Sequence, residues 1–209
     1  MANINEQVPA MHDPEPPLEI LQQREVFREQ GGAEFRVEEV LTKVKDSGVP
    51  VTFHVASVKD ARPGTVCVAL KEDGSSSSDN RLGRRYLLAR HWRVSTGSWG
   101  WEFPRGMGEA GESPVQTAIR EFREETGIAV DDAQVTIMQH IHADTGVLRD
   151  DIAVARIVLQ GAESIAKDSD WELSDMTWFT EQQMRNLIIS GELTDGITLA
   201  AFAIVEFAG

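Results

Sequence analysis

Three glutamates on one face of a short predicted helix are the residues of this sequence best suited to chemistry. Glu121, Glu124 and Glu125 stand at positions i, i+3 and i+4, which 3.6 residues per turn place within an arc of roughly 100°. Carboxylates this close repel one another unless a cation lies between them. Hard divalent ions such as Mg2+ or Mn2+ prefer carboxylate oxygens, and phosphate oxygens often complete their coordination shell. The spacing therefore favours a divalent-metal site that acts on a phosphorylated compound, although surface charge alone would explain one or two of the acids.

The ends of the helix that carries these acids can be predicted from local signals. Ser113 is a good N-cap residue, Pro114 suits the first helical position, and Gln116 completes a capping box with Ser113. Gly127 stands where many helices end in a left-handed glycine. An apolar stripe between these ends predicts that the opposite face is buried. It consists of Val115, Ala118, Ile119 and Phe122.

The wider segment, residues 106–128, resembles the Nudix box. That pattern is a glycine, five residues, a glutamate, seven residues, and then Arg-Glu-apolar-any-Glu-Glu-any-Gly-apolar. Its fixed places are filled here by Gly106, Glu112, Arg120, Glu121, Phe122, Glu124, Glu125, Gly127 and Ile128. A chance match to the seven invariant residues has a probability on the order of one in a million, so a merely charged surface helix is the weaker interpretation. The resemblance implies an α/β fold, a Nudix-type α/β/α sandwich with a mixed β-sheet, and hydrolysis of a nucleoside diphosphate linked to another group.

The resemblance also implies roles for individual residues. Glu121 and Glu125 are the expected principal metal ligands, and Glu124 and Glu112 are expected to support them. The backbone carbonyl of Arg105, directly before the box, matches a further ligand position. The implied cofactor is Mg2+ or Mn2+, which would neutralise the diphosphate and polarise a phosphorus for attack by water.

The sequence before and after the box is similar to ADP-ribose pyrophosphatases and related nucleotide-sugar hydrolases. In the lead-in RHWRVSTGSWGWEFPRG, Arg93, Glu102 and Arg105 are the expected substrate-binding residues. This branch takes a general base or an extra metal ligand from an acidic loop after the box. Asp170 and Glu172 in KDSDWELSD are the candidates here, and an ordinary solvated loop acid is the alternative for each.

The implied reaction is hydrolysis of ADP-ribose to AMP and ribose 5-phosphate. Residues 142–151 read HADTGVLRDD and depart from the segment that the branch often shows after the box. GDP-mannose, a UDP-sugar or a dinucleotide therefore stay open as substrates. Oxidised or capped nucleotides are a weaker hypothesis, and a non-catalytic nucleotide-sensing module is disfavoured because every box acid is present.

Composition narrows the expected partners and location. A net charge of −14 argues against binding a nucleic-acid polymer, which needs clustered Lys and Arg. The sequence contains no apolar run of the ~20 residues that a membrane span requires, and it begins without a basic and apolar leader. The single cysteine, Cys67, suits a reducing compartment. We therefore expect a cytoplasmic protein that acts on a small molecule.

Hydrophobic alternation predicts the elements that position the site. Strands are expected near residues 34–40, 51–58, 65–70, 85–92, 99–103, 134–141, 152–159 and 176–179, and closing helices near 181–189 and 198–207. Residues 1–23 are predicted to be a disordered tail. Residues 24–62 are predicted to be an N-terminal β extension, through which the resemblance implies a homodimer, and residues 63–209 the hydrolase domain.

Overall fold

The computed structural model describes residues 13–72, 83–161 and 172–208. The first twelve residues of the expected tail, and the loop acid Asp170, lie outside these described residues. Two β-sheets account for the described strands: a three-stranded N-terminal sheet and a seven-stranded mixed sheet. No described helix has the length and hydropathy needed to cross a bilayer.

The N-terminal sheet is antiparallel, in the order β1 (Leu18–Arg28), β2 (Arg36–Val44), β3 (Pro50–Ser57). The predicted tail boundary at residue 23 is wrong, because β1 begins at Leu18 and was not predicted as a strand. Two register irregularities interrupt β1, between Ile20 and Gln22 and between Glu25 and Phe27. They break the regular two-residue alternation that sequence patterns detect. The formation of β1 thus depends on its pairing with β2 and not on a local sequence pattern.

The mixed sheet has the strand order β10-β5-β4-β9-β8, with β6 paired to β5 and β7 to β4. The pairing of β4 with β9 is parallel and the other pairings are antiparallel. The bounds are β4 (Gly64–Glu72), β5 (Arg84–Arg93), β6 (Ser98–Glu102), β7 (Arg105–Met107), β8 (Val135–Ile141), β9 (Ile152–Leu159) and β10 (Leu173–Thr180). The prediction of a mixed sheet is confirmed.

Helices cover both faces of this sheet. They are α1 (Pro114–Thr126), α2 (Glu181–Ser190) and α3 (Gly196–Ala208). Successive residues of a strand point to opposite faces, so Val66 and Val68 of β4 join the core beneath α2 and α3, whereas Cys67 and Ala69 join the core beneath α1. The expected α/β/α sandwich is therefore present, and α1 is fixed on the sheet by its own hydrophobic core.

Candidate active site

Helix α1 begins and ends where its sequence predicts. The Ser113 hydroxyl accepts a hydrogen bond from the Gln116 backbone N–H at 3.3 Å, and the Gln116 side chain accepts one from the Ser113 N–H at 2.9 Å. Gly127 closes the helix in the left-handed conformation, with φ 71°. Ala118 and Phe122 of the predicted stripe are completely buried. Because this stripe is buried, the three glutamates lie on the neighbouring arc of the helix.

A cavity of about 300 Å³, which we call the carboxylate cavity, opens in front of these glutamates. Its wall consists of Glu121, Glu124 and Glu125 from α1, His91 and Arg93 from β5, Arg105 from β7, and Glu172 and Leu173 at the start of β10. The structure thus brings together six of the predicted site residues from four parts of the chain. Glu172 is the loop acid found beside the helix acids.

Glu125 is the acid most strongly altered by this environment. One carboxylate oxygen, Oε2, is buried and has no hydrogen-bond partner among the described residues. The Arg105 backbone favours the charged form of this carboxylate and so opposes the rise of its pKa. Burial, followed by repulsion from Glu121, raises the pKa of Glu125 to about 8. A buried carboxylate oxygen without a partner is costly, and a cation at this place would satisfy it.

Gly106 allows strand β7 to pass close to the carboxylate of Glu121, the other expected principal metal ligand. A Cβ added at Gly106 would collide with the carboxylate of Glu121. Gly108 also has no space for a side chain, because an added Cβ would lie 2.5 Å from the Pro63 carbonyl oxygen. Burial raises the pKa of Glu121, and the nearby guanidinium of Arg120 opposes this shift. Both positions therefore require glycine on steric grounds, because the backbone passes where a side chain would not fit.

Arg120 binds the acids of the box to one another. Its guanidinium contacts Glu112 at 2.8 Å, Glu121 at 2.8 Å and Glu124 at 3.2 Å, and it donates to the Met107 carbonyl at 2.9 Å. Arg120 and Glu124 are four residues apart, so this ion pair lies along one face of the helix. Arg120 also lowers the pKa of Glu112 to about 2.

Glu112 holds the loop before the helix and does not line the carboxylate cavity. Both of its oxygens accept hydrogen bonds from Arg120, and Oε2 also accepts one from the Thr117 hydroxyl and one from the Glu109 N–H. A supporting ligand role for Glu112 stays a prediction. Its contacts position the loop and Arg120.

Glu102 fixes the two arginines of the site. It is 2% exposed and pairs with Arg93 at 2.6 Å and with Arg105 at 2.7 Å. Arg105 also pairs with Asp195 at 3.0 Å. Glu102 is thus placed where it would act on a substrate through the arginines, not in the wall of the carboxylate cavity.

Two residues of this region were not predicted from the sequence. Asp195 accepts a hydrogen bond from the Thr198 N–H at 2.8 Å directly before α3, so its N-cap position was readable, whereas its contact with Arg105 was not. His91 is 3% exposed, and burial lowers its pKa to about 4. Nothing in the local sequence distinguishes His91 from a surface histidine.

The residues of the carboxylate cavity fit a hard divalent cation whose shell is completed from outside the protein. Within the described ranges, no three His, Cys, Asp or Glu side chains converge into a cage that would hold a metal alone. Glu121 supplies oxygen donors, as does Oε2 of Glu125, to which no described residue donates a hydrogen bond, and Arg105 lies in the same wall. Mg2+ is usually held by one or two carboxylates together with water and substrate phosphates, which is the donor set that this cavity offers.

Two known proteins are similar to this chain in sequence. The chain is 30% identical over 123 residues to an ADP-ribose pyrophosphatase of Mycobacterium tuberculosis, an alignment that covers 57% of this chain and 58% of that protein. It is 40% identical over 53 residues to the mRNA-decapping protein g5R of African swine fever virus, which covers 25% of this chain and 22% of that protein. The chain therefore spans little more than half of the first relative and about a fifth of the second.

Structural similarity extends over almost the whole chain. A crystal structure of ADP compounds hydrolase matches with a TM-score of 0.71 at 20% identity, covering 93% of this chain and 95% of that chain, which shows a shared fold. The family model of the NUDIX domain matches residues 62–201. Since this match covers most of the chain and includes the glutamate helix and the arginines of the carboxylate cavity, the protein belongs to the NUDIX family.

Proposed function

We propose that this protein hydrolyses the diphosphate of a nucleoside-diphosphate sugar with a divalent metal, and that ADP-ribose is converted to AMP and ribose 5-phosphate. The proposal depends on the buried Oε2 of Glu125, which has no hydrogen-bond partner in the part of the chain that the structure describes. This oxygen lies beside Glu121 in a cavity that Arg93 also lines. Such a site favours cationic metal and anionic phosphate together. The activity named for the mycobacterial relative supports ADP-ribose as the first substrate to test.

Glu121 and Glu125 would hold Mg2+ or Mn2+ beside Glu124 and the Arg105 carbonyl, and the bound cation would neutralise the diphosphate and polarise a phosphorus. Arg93 would bind phosphate oxygens. Its Nε and Nη2 contact Glu102, so its orientation is set before a substrate arrives. This preorganisation lowers the entropy cost of binding.

Glu172 would accept the proton of the attacking water. It lies in the wall of the carboxylate cavity, where a carboxylate can act as a general base on water near the diphosphate. The water oxygen bonds to one phosphorus, the bond from that phosphorus to the bridging oxygen breaks, and two phosphate monoesters leave. Asp170, which lies outside the described residues, is the other candidate for this base.

A substrate panel with matched variants tests the proposal. ADP-ribose, GDP-mannose, a UDP-sugar, a dinucleotide and a capped nucleotide would be assayed with Mg2+ or Mn2+ for released phosphomonoester. Glu125→Gln should lower kcat by about a thousandfold, or about 4 kcal/mol, and weaken Mn2+ binding measured by electron paramagnetic resonance. The control is Glu109→Gln, the same change at an exposed box position. Undiminished turnover in Glu125→Gln would refute the assignment, and wild-type binding without turnover would favour a nucleotide-sensing module.

We also propose that the N-terminal sheet forms a homodimer interface, in a cytoplasmic protein. Strand β1 exposes Ile20 (64%), Leu21 (50%), Val26 (44%) and Phe27 (53%), and exposed apolar residues grouped in this way often mark an interface. Light scattering should give twice the chain mass, and Leu21→Glu with Phe27→Glu should give the monomer. A monomeric wild type would refute this part without affecting the hydrolase proposal.

A further inference from the structure

Three cavities of this protein meet at the same two arginines. The carboxylate cavity has Arg93 and Arg105 in its wall, and so do two further cavities of about 320 Å³ each. Among the described residues, only these two arginines line all three. Cavities that share two cations suit a ligand with a central diphosphate and two different ends.

The first of the further cavities is apolar, apart from the arginines and Thr65. Its wall includes Met107, Ile152 and Ile197. Ile152 and Ile197 pack against the core, and Met107 is partly buried. Ligand pockets are commonly lined by apolar side chains with a few polar groups that fix orientation, and the flexible methionine side chain adapts its shape to what it contacts. We call this space the apolar cavity, and its lining suits a planar base.

The second further cavity is lined by four hydroxyl side chains, together with the two arginines and their ion-pair partners Glu102 and Asp195. Ser95 and Thr96 come from the turn between β5 and β6, Ser98 begins β6, and Thr194 comes from the segment before α3. The Ser98 hydroxyl donates to the Thr96 hydroxyl at 3.0 Å. Because hydroxyl groups both donate and accept hydrogen bonds, this hydroxyl cavity is suited to a sugar.

We propose that the substrate crosses this junction with its diphosphate at Arg93 and Arg105, its base in the apolar cavity and its sugar in the hydroxyl cavity. The inference rests on the proposed function, because it takes the substrate to be a nucleoside-diphosphate sugar. The reverse placement is disfavoured, since sugar hydroxyls against Met107 and Ile197 would lose hydrogen bonds to water without replacement. The two arginines therefore serve either end of the ligand.

Binding of the two products tests each end separately and needs no turnover. Affinities of AMP and ribose 5-phosphate would be measured by competition against ADP-ribose with a methylene bridge between its phosphorus atoms. Ile197→Phe fills the apolar cavity and should weaken the affinity for AMP at least tenfold, while the affinity for ribose 5-phosphate should change less than twofold. Thr194→Ile should weaken the affinity for ribose 5-phosphate and leave the affinity for AMP unchanged.

Matched controls carry the same substitutions at exposed positions away from the junction. Ile189→Phe on α2 and Thr136→Ile on β8 should leave both affinities unchanged. If thermal melting shows that Ile197→Phe does not fold, Ile152→Phe fills the same cavity from β9. Equal weakening of both products, or the opposite selectivity, would overturn the inference.

Failure of the inference can be distinguished from failure of the proposed function. A wild-type protein that cleaves ADP-ribose but whose variants lose AMP and ribose 5-phosphate affinity without selectivity would overturn only the placement of the two ends. A wild-type protein that neither cleaves nor binds any nucleoside-diphosphate sugar would overturn both.

Discussion

Gly106→Ala tests whether the close approach of strand and helix creates the proposed metal site. The added Cβ would overlap the carboxylate of Glu121, which Arg120 holds at 2.8 Å. The carboxylate or strand β7 must retreat by about 1 Å, and a misplacement of this size costs roughly a hundredfold in rate, or about 2.7 kcal/mol. Overpacking should lower the free energy of unfolding by about 1–3 kcal/mol.

The assay compares kcat/KM and Mn2+ affinity with those of Gly146→Ala. At Gly146 an added Cβ also meets a carboxylate oxygen, that of Asp144 at 3.2 Å, but this side chain is exposed and can move. Gly106→Ala should lose about a hundredfold in kcat/KM and bind Mn2+ more weakly, and Gly146→Ala should resemble the wild type. Wild-type activity and Mn2+ affinity in Gly106→Ala would show that the position of Glu121 does not matter, which would refute the reasoning.

Two further predictions concern stability. Arg120→Ala should lower the free energy of urea unfolding by about 3 kcal/mol, because it leaves Glu112 and its neighbours without a cation. The control Arg123→Ala, at an exposed position, should lower it by about 0.5 kcal/mol or less. Equal losses in the two variants would contradict the role of Arg120. Burial lowers the pKa of His91 to about 4, so the unfolded chain binds a proton first, and stability is lost as pH falls from about 6.5 to 4. The slope should be about 1 kcal/mol per pH unit and should be smaller in His91→Phe; an unchanged slope would contradict this assignment.

Local signals were sufficient wherever a structure depends on neighbours in sequence. The bounds of α1 follow from Ser113, Gln116 and Gly127, because caps and capping boxes are made within one helical turn. The expected strands of the mixed sheet are present with shifted ends, since alternation marks a strand but not the residue at which pairing stops. Strand β1 was not predicted, because its irregular pairing with β2 interrupts the alternation of apolar and polar residues that marks a strand.

Contacts between distant parts of the chain could not be predicted in the same way. The sequence predicts Glu102 as a substrate-binding residue, yet its burial between Arg93 and Arg105 depends on how β5, β6 and β7 pair. Asp195 lies 90 residues after Arg105 in sequence, and no local pattern relates them. Their contact follows from the packing of α3 beside the mixed sheet.

The sequence by itself determined the glutamate helix, its caps, its buried stripe and the chemistry that three adjacent carboxylates favour. These features depend on helical periodicity and on hydrogen bonds between residues at most a few positions apart. Only the tertiary structure decided that Glu125 has a buried oxygen without a described partner, that Glu112 holds a loop, and that three cavities share two arginines. Burial and convergence depend on which distant strands and helices pack together, and one segment of sequence does not contain that information.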